Sequence, residues 1–411
     1  MWTHVYEYYR QAGHAYALVV DAVLQGAKGA DPAKPLLSLL VVRALRALSQ
    51  QIKWLHLRYG PIEPRQWRVL SGVYAFAESR GLVDEVGALY AGLAESTPRR
   101  EFMGAMMLGL SSPDSLLPAE VDLAERAIAE LGGNFAIEKE GGAGLSHWTD
   151  LAEPMAPLRL ARLPQPTPGL RFLGPGSALA ALEAMMRRIE ATGQLPPALA
   201  GATIGDTETV IEVLQHLHLY WSPAPPERKH PRHAVKSRLS IVHGFAGVMG
   251  ALNGSGASLD FDKQAAENWI VENVSAGGFG AVVPQAKGDW LKIGTLLAMQ
   301  PDGGNNWVVG MVRRVSKVSN KEARVGIQTL SRAPELAHFA LRGNTEQGVL
   351  LPAAGLGTGE ASIALPTGAF VPGQNLENQR GGRSYVYMPQ DVAEHGDDYD
   401  IVRFREMIRD S

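Results

Sequence analysis

Two clusters in the chain combine residue types suited to gripping a ligand. The first is Arg228-Lys229-His230-Pro231-Arg232, three cations in a proline-stiffened stretch. A guanidinium is a planar fork of donors that meets a phosphate or carboxylate with two bonds at once. Two arginines four apart in a loop therefore suit an anion. The second cluster is Asn273-Val274-Ser275-Ala276-Gly277-Gly278, of the form N-x-S-x-x-G. On a strand, Asn273 and Ser275 share one face while Val274 takes the other, so an amide and a hydroxyl stand side by side as hydrogen-bonding groups. Gly277 and Gly278 leave the backbone open to close approach. Each pattern alone is loose. Their order gives them weight, one just before a strand and the other at the end of the next.

The elements that must position these residues change character along the chain. Up to about residue 221 the apolar spacing is mostly helical. Steps of three and four recur from Trp2 to about Gly26, from Lys34 to about Tyr59 and from Arg65 to Arg80. Trp67, Leu70 and Tyr74, followed by Gly81, Val86, Tyr90 and Leu93, faintly echo one tetratricopeptide hairpin, although a plain helical bundle fits the irregular spacing better. From 133 to 175 the pattern loosens. "NFAIEKEGGAGLSHW" predicts a hairpin around Gly141 and Gly142, and "LPQPTPGLRFLGPG" reads as a loop. Helices are expected over about Ser177–Thr192 and Thr207–Trp221. The proline-rich "SPAPPERKHPR" then reads as an interdomain linker.

Beyond the linker the period falls to two. "KSRLSIVHG", "NWIVENVS", "GAVVPQ", "WLKIGTLLAMQ", "WVVGMVRRVSKV" and "EARVGIQTL" are six short strand-like runs between glycine, asparagine and aspartate turns, which predicts a small closed antiparallel barrel. The long stretch "GFAGVMGALNGSGASLDFDKQAAEN" between the first two runs reads as an insertion or elongated turn. In the tail, "GVLLP", "ASIALP", "RSYVYMP" and "DYDIVRF" predict a second, smaller β unit. The expected organisation is a helical bundle or tetratricopeptide-like region over 1–132, a mixed, mainly helical segment over 133–221, a barrel over 222–335 and a β-rich unit over 336–411.

Composition narrows the chemistry. A formal charge of −3 gives no global attraction to nucleic acid or acidic membranes, so anion binding has to be local. The absence of cysteine excludes disulfides, thiolate nucleophiles and Cys-ligated metals, and it fits a reducing cytoplasm. The start, "MWTHVYEYYRQAG", lacks a signal-peptide pattern, and the most apolar run is broken by Arg43 and Arg46. A cytoplasmic location without membrane insertion is expected.

With both clusters in this order around a barrel, the segment at about 225–335 resembles the PilZ family, bacterial receptors for cyclic di-GMP. The family pattern is R-x-x-x-R on the loop entering the barrel and D/N-x-S-x-x-G on an early strand. Arg228, Arg232, Asn273, Ser275 and Gly278 occupy the matching positions. The resemblance implies that Arg228, Lys229, Arg232, Asn273, Ser275, Gly277 and Gly278 bind cyclic di-GMP. An arginine can pair with a phosphate or with guanine O6 and N7, or lie flat on a purine. It implies a receptor rather than an enzyme, with cyclic di-GMP as ligand and no further cofactor. The helical region is then expected to engage a protein partner, with no DNA or RNA involved. The rival reading is a PilZ-like scaffold that binds no ligand and docks proteins.

Other chemistry is weaker. His216 and His218 lie in a helical pattern where packing is the default, and His230 and His233 read as exposed loop residues. "EHGDDYD" at 394–400 lacks the spacing of a calcium loop and reads as a solvated turn. "GLGTGE" and "NGSGAS" do not join a strand to a helix as a phosphate loop would. Arg313 and Arg314 are neighbours on a strand, so at most one of them can face a ligand.

Overall fold

Helical periodicity becomes helices wherever an apolar stripe and a stop signal coincide. The computed structural model describes residues 1–411 except 91, 93, 162–163, 202–203, 205, 225–229, 255–265, 285–289, 305, 320, 342–343, 353–358 and 410–411. The chain divides into two units, Met1–Glu227 and Arg228–Ser411.

In the first unit, α1 (Trp2–Leu24), α2 (Leu37–His56), α3 (Pro64–Ser79), α4 (Pro98–Leu110) and α5 (Pro118–Glu130) come first. Proline opens α3, α4 and α5, where its missing N–H costs nothing. The Thr97 hydroxyl accepts from Arg100 N at 3.2 Å, and Glu120 reaches back to Leu117 N at 2.6 Å, so orphan amides at two helix starts are satisfied. Then come β1 (Ala136–Glu138), β2 (His147–Asp150), β3 (Leu158–Arg159), β4 (Leu170–Gly174), α6 (Ala178–Thr192), α7 (Pro197–Ala200) and α8 (Thr207–Trp221). One core joins these elements. Tyr74 stacks on Phe102 with ring centroids 4.1 Å apart, and buried Trp221 donates its indole N–H to Ser111 Oγ at 2.9 Å.

Three expectations change in this unit. The strands form an antiparallel sheet in the order β1-β4-β2-β3, so β1 and β2 do not make the hairpin expected around Gly141 and Gly142; β4 lies between them. That central strand comes from the stretch read as a loop. All five of its residues are buried, and the flanking prolines and glycines punctuate it rather than dissolve it. The tetratricopeptide-like partner of α3 is not a helix. None of the described residues from Gly81 to Thr97 is helical, and Gly87 and Ser96 instead form an isolated bridge.

The second unit begins with β5 (His233–His243), then α9 (Phe245–Leu252), β6 (Glu267–Ser275), β7 (Gly278–Pro284), β8 (Leu296–Pro301), β9 (Val308–Ser319) and β10 (Glu322–Ser331). These six strands close into an antiparallel barrel in the order β10-β7-β6-β5-β8-β9. The tail supplies β11 (Glu335–Leu341), β12 (Asn344–Leu350), β13 (Glu360–Pro366), β14 (Leu376–Arg380), β15 (Arg383–His395) and β16 (Tyr399–Arg409). They close a second barrel, β11-β12-β13-β16-β15-β14, with as many strands as the first. The architecture is therefore a helical region followed by two six-stranded antiparallel barrels.

The stretch read as an insertion starts with a helix that has a structural task. Phe245, Val248 and Ala251 of α9 share one buried cluster with Leu296, Val309 and Met311 of the first barrel and with Val349, Ala364, Tyr399 and Ile401 of the second. The acidic turn from 395 to 400 is likewise structural rather than simply solvated. Asp398 Oδ2 accepts from Phe245 N at 2.7 Å at the start of α9, Asp397 pairs with Lys292, and the Tyr399 hydroxyl donates to the Gly294 carbonyl at 2.5 Å. Among the described residues no helix is long and apolar enough to cross a membrane.

Candidate functional site

The site grows from one hairpin. β6 and β7 pair through Val274 with Phe279 and Ser275 with Gly278, leaving Ala276 and Gly277 as the turn. A side chain at Gly278 would collide with the Ile327 carbonyl oxygen of β10, so only glycine lets these two strands come so close. Ser275 Oγ donates to Gly278 O at 3.3 Å, and Thr329 N donates to Gly277 O at 3.0 Å, which pins the turn to the barrel wall.

A bulge decides which way the polar pair points. Along β6, Trp269 and Val271 are buried in the barrel. Simple alternation would send Asn273 inward after them. The register slips between Val271 and Asn273, leaving Glu272 as the extra residue, and Asn273 pairs with Gly280 rather than with the inward series of Ala281 and Val283. Asn273 and Ser275 thereby share the outer face with Gly280 and Gly278. The packing agrees: a Cβ built on Gly280 would stand 2.6 Å from Asn273 Nδ2. Glu272 turns aside, 3.4 Å from Arg324 Nε.

The cationic loop arrives at this same hairpin. β5 pairs with β6 up to His233 with Val274, so Arg232 stands one residue beyond the last pair, at the level of Ser275. Arg232 is exposed. The His230 ring lies against the turn, with Cδ2 3.3 Å from where a Gly277 Cβ would be. Arg228 and Lys229 lie outside the described residues. Of the residues singled out by sequence, Arg232, Asn273, Ser275, Gly277 and Gly278 thus gather at one end of the barrel's outer face.

Residues not singled out for the site join it. Arg332 donates from Nη2 to Ala276 O at 3.2 Å, adding a cation beside the turn. His230, first read as an ordinary loop histidine, packs on that turn. The one sequence signal for either was its place at a strand end. Gln328, opposite Gly278 on β10, accepts from Arg313 Nε at 2.7 Å, and the rest of that guanidinium pairs with Glu394 of the second barrel. Arg313 is therefore committed to holding the barrels together, whereas Arg314 pairs in register with Gly326 on the outer face.

The other candidates have structural partners. His216 Nε2 donates to the Ser111 carbonyl at 2.6 Å, and His218 Nε2 lies 3.0 Å from Glu183. Among the described residues no cluster of three or more metal-ligating side chains occurs. Burial pushes His147 in the first unit's sheet down to about 4, with the nearby Arg159 charge adding to the effect, so near neutral pH it is an uncharged packing residue beside Ser146.

A closed six-stranded barrel with an outward N-x-S-x-x-G hairpin, entered by a cationic loop, is the form of a PilZ domain. Comparison with protein families agrees. Residues 260–335 match the family described as cyclic-di-GMP receptor FimW, middle PilZ domain, and residues 1–140 match that described as cyclic-di-GMP receptor FimW, N-terminal domain. The match assigns a PilZ domain to residues 260–335, within the first barrel, and the likeness to this receptor extends to residues 1–140 of the helical region. No curated protein matches the chain.

Proposed function

We propose that the first barrel is a receptor for cyclic di-GMP and not an enzyme. The observation that carries this reading is the meeting of loop and hairpin: His230 packs on Gly277, and Arg232 stands at the level of Ser275. Arg232, with Arg228 and Lys229, supplies positive charge for the ligand's phosphates. Asn273 and Ser275 offer hydrogen bonds to a guanine edge. Gly277 and Gly278 set the tight turn that borders these groups. The family matches, both to cyclic-di-GMP receptors, support the same ligand.

The segment 222–232 both carries the cations and leads from the helical unit into the barrel. Ligand capture by this segment biases the partner binding of the helical unit, the relay by which a cytoplasmic receptor would act. The shift is bounded by the ligand's preference for one arrangement over the other.

Calorimetric titration of the full chain with cyclic di-GMP tests the first part. Saturable one-site or two-site binding is expected. A panel of nucleotides with no binder among them would leave a protein-docking scaffold as the better reading. Hydrogen exchange with and without ligand tests the second part: protection should change over 222–234 and on the helical unit, and identical exchange on the helical unit would end the relay even if binding were real.

A further inference from the structure

The chain leaves the first barrel beside the hairpin of β6 and β7. β10 ends at Ser331, and Arg332, Ala333 and Pro334 lead straight into β11 of the second barrel. This connector is held in place. Ser331 is buried, its hydroxyl donates to the Pro352 carbonyl at 2.8 Å, and the Ala333 N–H donates to that hydroxyl at 3.2 Å. Thr329, at the end of β10, donates its N–H to the Gly277 carbonyl at 3.0 Å. The backbone around Arg332 is therefore fixed relative to the hairpin turn.

From that base the Arg332 side chain reaches past the end of β7 to the turn itself, where Nη2 donates to the Ala276 carbonyl at 3.2 Å. Ala276 directly follows Ser275. A positive charge thus stands at the end of β6, the strand that carries Asn273 and Ser275. On the other side of β6 lies β5, and Arg232, just before β5, is at the level of Ser275. Cationic residues approach the hairpin from both flanks. Arg332 is exposed, and among the described residues no carboxylate pairs with it. The Ala276 carbonyl takes one N–H of the guanidinium, which leaves donors for a second acceptor. A cation with spare donors and no counter-charge, placed beside an amide and a hydroxyl, suits an incoming anion.

We propose that Arg332 binds a phosphate of cyclic di-GMP from the connector between the two barrels, on the flank of the hairpin opposite the cations of 228–232. This rests on the receptor reading above and adds a residue outside both sequence motifs. The ligand carries two phosphates on opposite sides of its ring. The segment ahead of β5 meets one of them, and Arg332 meets the other. In strand order Asn273 and Ser275 lie between the two cationic groups, where they address a base. The connector into the second barrel thereby becomes part of the ligand site.

The test titrates the full chain with cyclic di-GMP by calorimetry at low and at high salt. Arg332→Gln keeps an N–H donor for the Ala276 carbonyl but removes the charge. It is expected to weaken binding about tenfold and to make affinity less sensitive to salt, in keeping with loss of a charge-assisted hydrogen bond to a phosphate. Arg332→Lys keeps the charge and should retain more affinity than Arg332→Gln. Arg403→Gln on the second barrel controls for a general charge effect and should bind as the unaltered chain does. Thermal unfolding of each variant controls for folding. Unchanged affinity in Arg332→Gln means that the side chain only holds the turn, and it overturns the assignment. Equal losses in the Gln and Lys variants, with salt sensitivity unaltered, overturn it as well. In either case a loss in Arg232→Ala would leave the receptor reading standing. Failure of the unaltered chain to bind cyclic di-GMP overturns both.

Discussion

The two barrels of the second unit have the same strand count and antiparallel pairing but very different outer faces. In the first, Gly278 packs against the Ile327 carbonyl, the Asn273 amide lies over Gly280, and Arg314 stands beside Gly326. In the second, the only strand glycine among the described residues is Gly348, and a Cβ there would run into Leu365 and Phe339 of the core. Its wall is laced with ion pairs instead: Arg380 with Glu335 and Glu406, Arg403 with Asp391, and Arg409 with Glu377. Exposed pairs of this kind are each worth under about 1 kcal/mol, so they keep a surface soluble more than they hold it together. The contrast teaches that closure of the barrel does not by itself make the proposed site. On the reading proposed above, what sets the first barrel apart is the polar hairpin of Asn273 and Ser275 with Arg232 at its level.

The strongest way to break that contrast is to add a methyl to each barrel's hairpin. Gly278→Ala must displace the Ile327 carbonyl, so a stability loss of about 2–4 kcal/mol and a drop in cyclic di-GMP affinity of at least about 100-fold are expected, read by denaturant unfolding and calorimetry. Gly381 of the second barrel has a φ of 58° and open space around it. Gly381→Ala should cost only about 1–2 kcal/mol and leave affinity alone. Equal effects on binding would mean that the two hairpins do not differ in function.

Charge and hydrogen-bond deletions sharpen the same comparison. Arg232→Ala and Asn273→Ala should each weaken cyclic di-GMP roughly 10- to 100-fold, since hydrogen bonds to charged groups contribute about 1.5–3 kcal/mol. Arg403→Ala should do nothing measurable to binding. Next in size comes the join between the barrels. Asp398→Ala leaves the Phe245 amide at the start of α9 without its acceptor and should lower stability by about 1 kcal/mol, with ligand affinity unchanged. Loss of affinity in that variant would show that the second barrel shapes the site.

The smallest effect is on acid sensitivity. His243 stacks on Trp290 at 3.9 Å, and burial there pulls its imidazole below the usual histidine range, outweighing the opposite pull of Glu267 and Asp398. The unfolded chain then binds the proton more readily than the folded one. Stability from this group is complete above about pH 6.5 and falls as the pH drops below it. His243→Phe should flatten that part of the stability–pH curve measured by thermal melts between pH 7 and pH 5, and an unchanged slope would count against it.

Much of this was legible in the sequence, for physical reasons that also mark where legibility ended. The first barrel's strands show because their apolar residues alternate. β14, "LENQR", and β11, "ELAHFAL", do not show: one is nearly all polar and the other does not alternate cleanly. β4 hides between prolines and glycines. α9, "FAGVMGAL", looks like a glycine-rich turn until two hydrophobic walls are there to receive it. At the site, alternation correctly sets Asn273 and Ser275 on one face, but which face depends on the bulge at Glu272, and a bulge has no sequence signal here. The same holds for Arg313 and Arg314. Alternation says they diverge, and only the pairing of Arg314 with Gly326 says which one looks outward.

The buried wedge of Phe245, Val248 and Ala251 carries a practical lesson for anyone who would transplant the sensor. A fragment ending at Ser331 would strip Val349, Ala364, Tyr399 and Ile401 from one flank of that wedge and leave its greasy side facing water. The transferable module is the tandem from 230 to 409, and swapping in the front barrel by itself would be expected to yield a sticky, poorly behaved product.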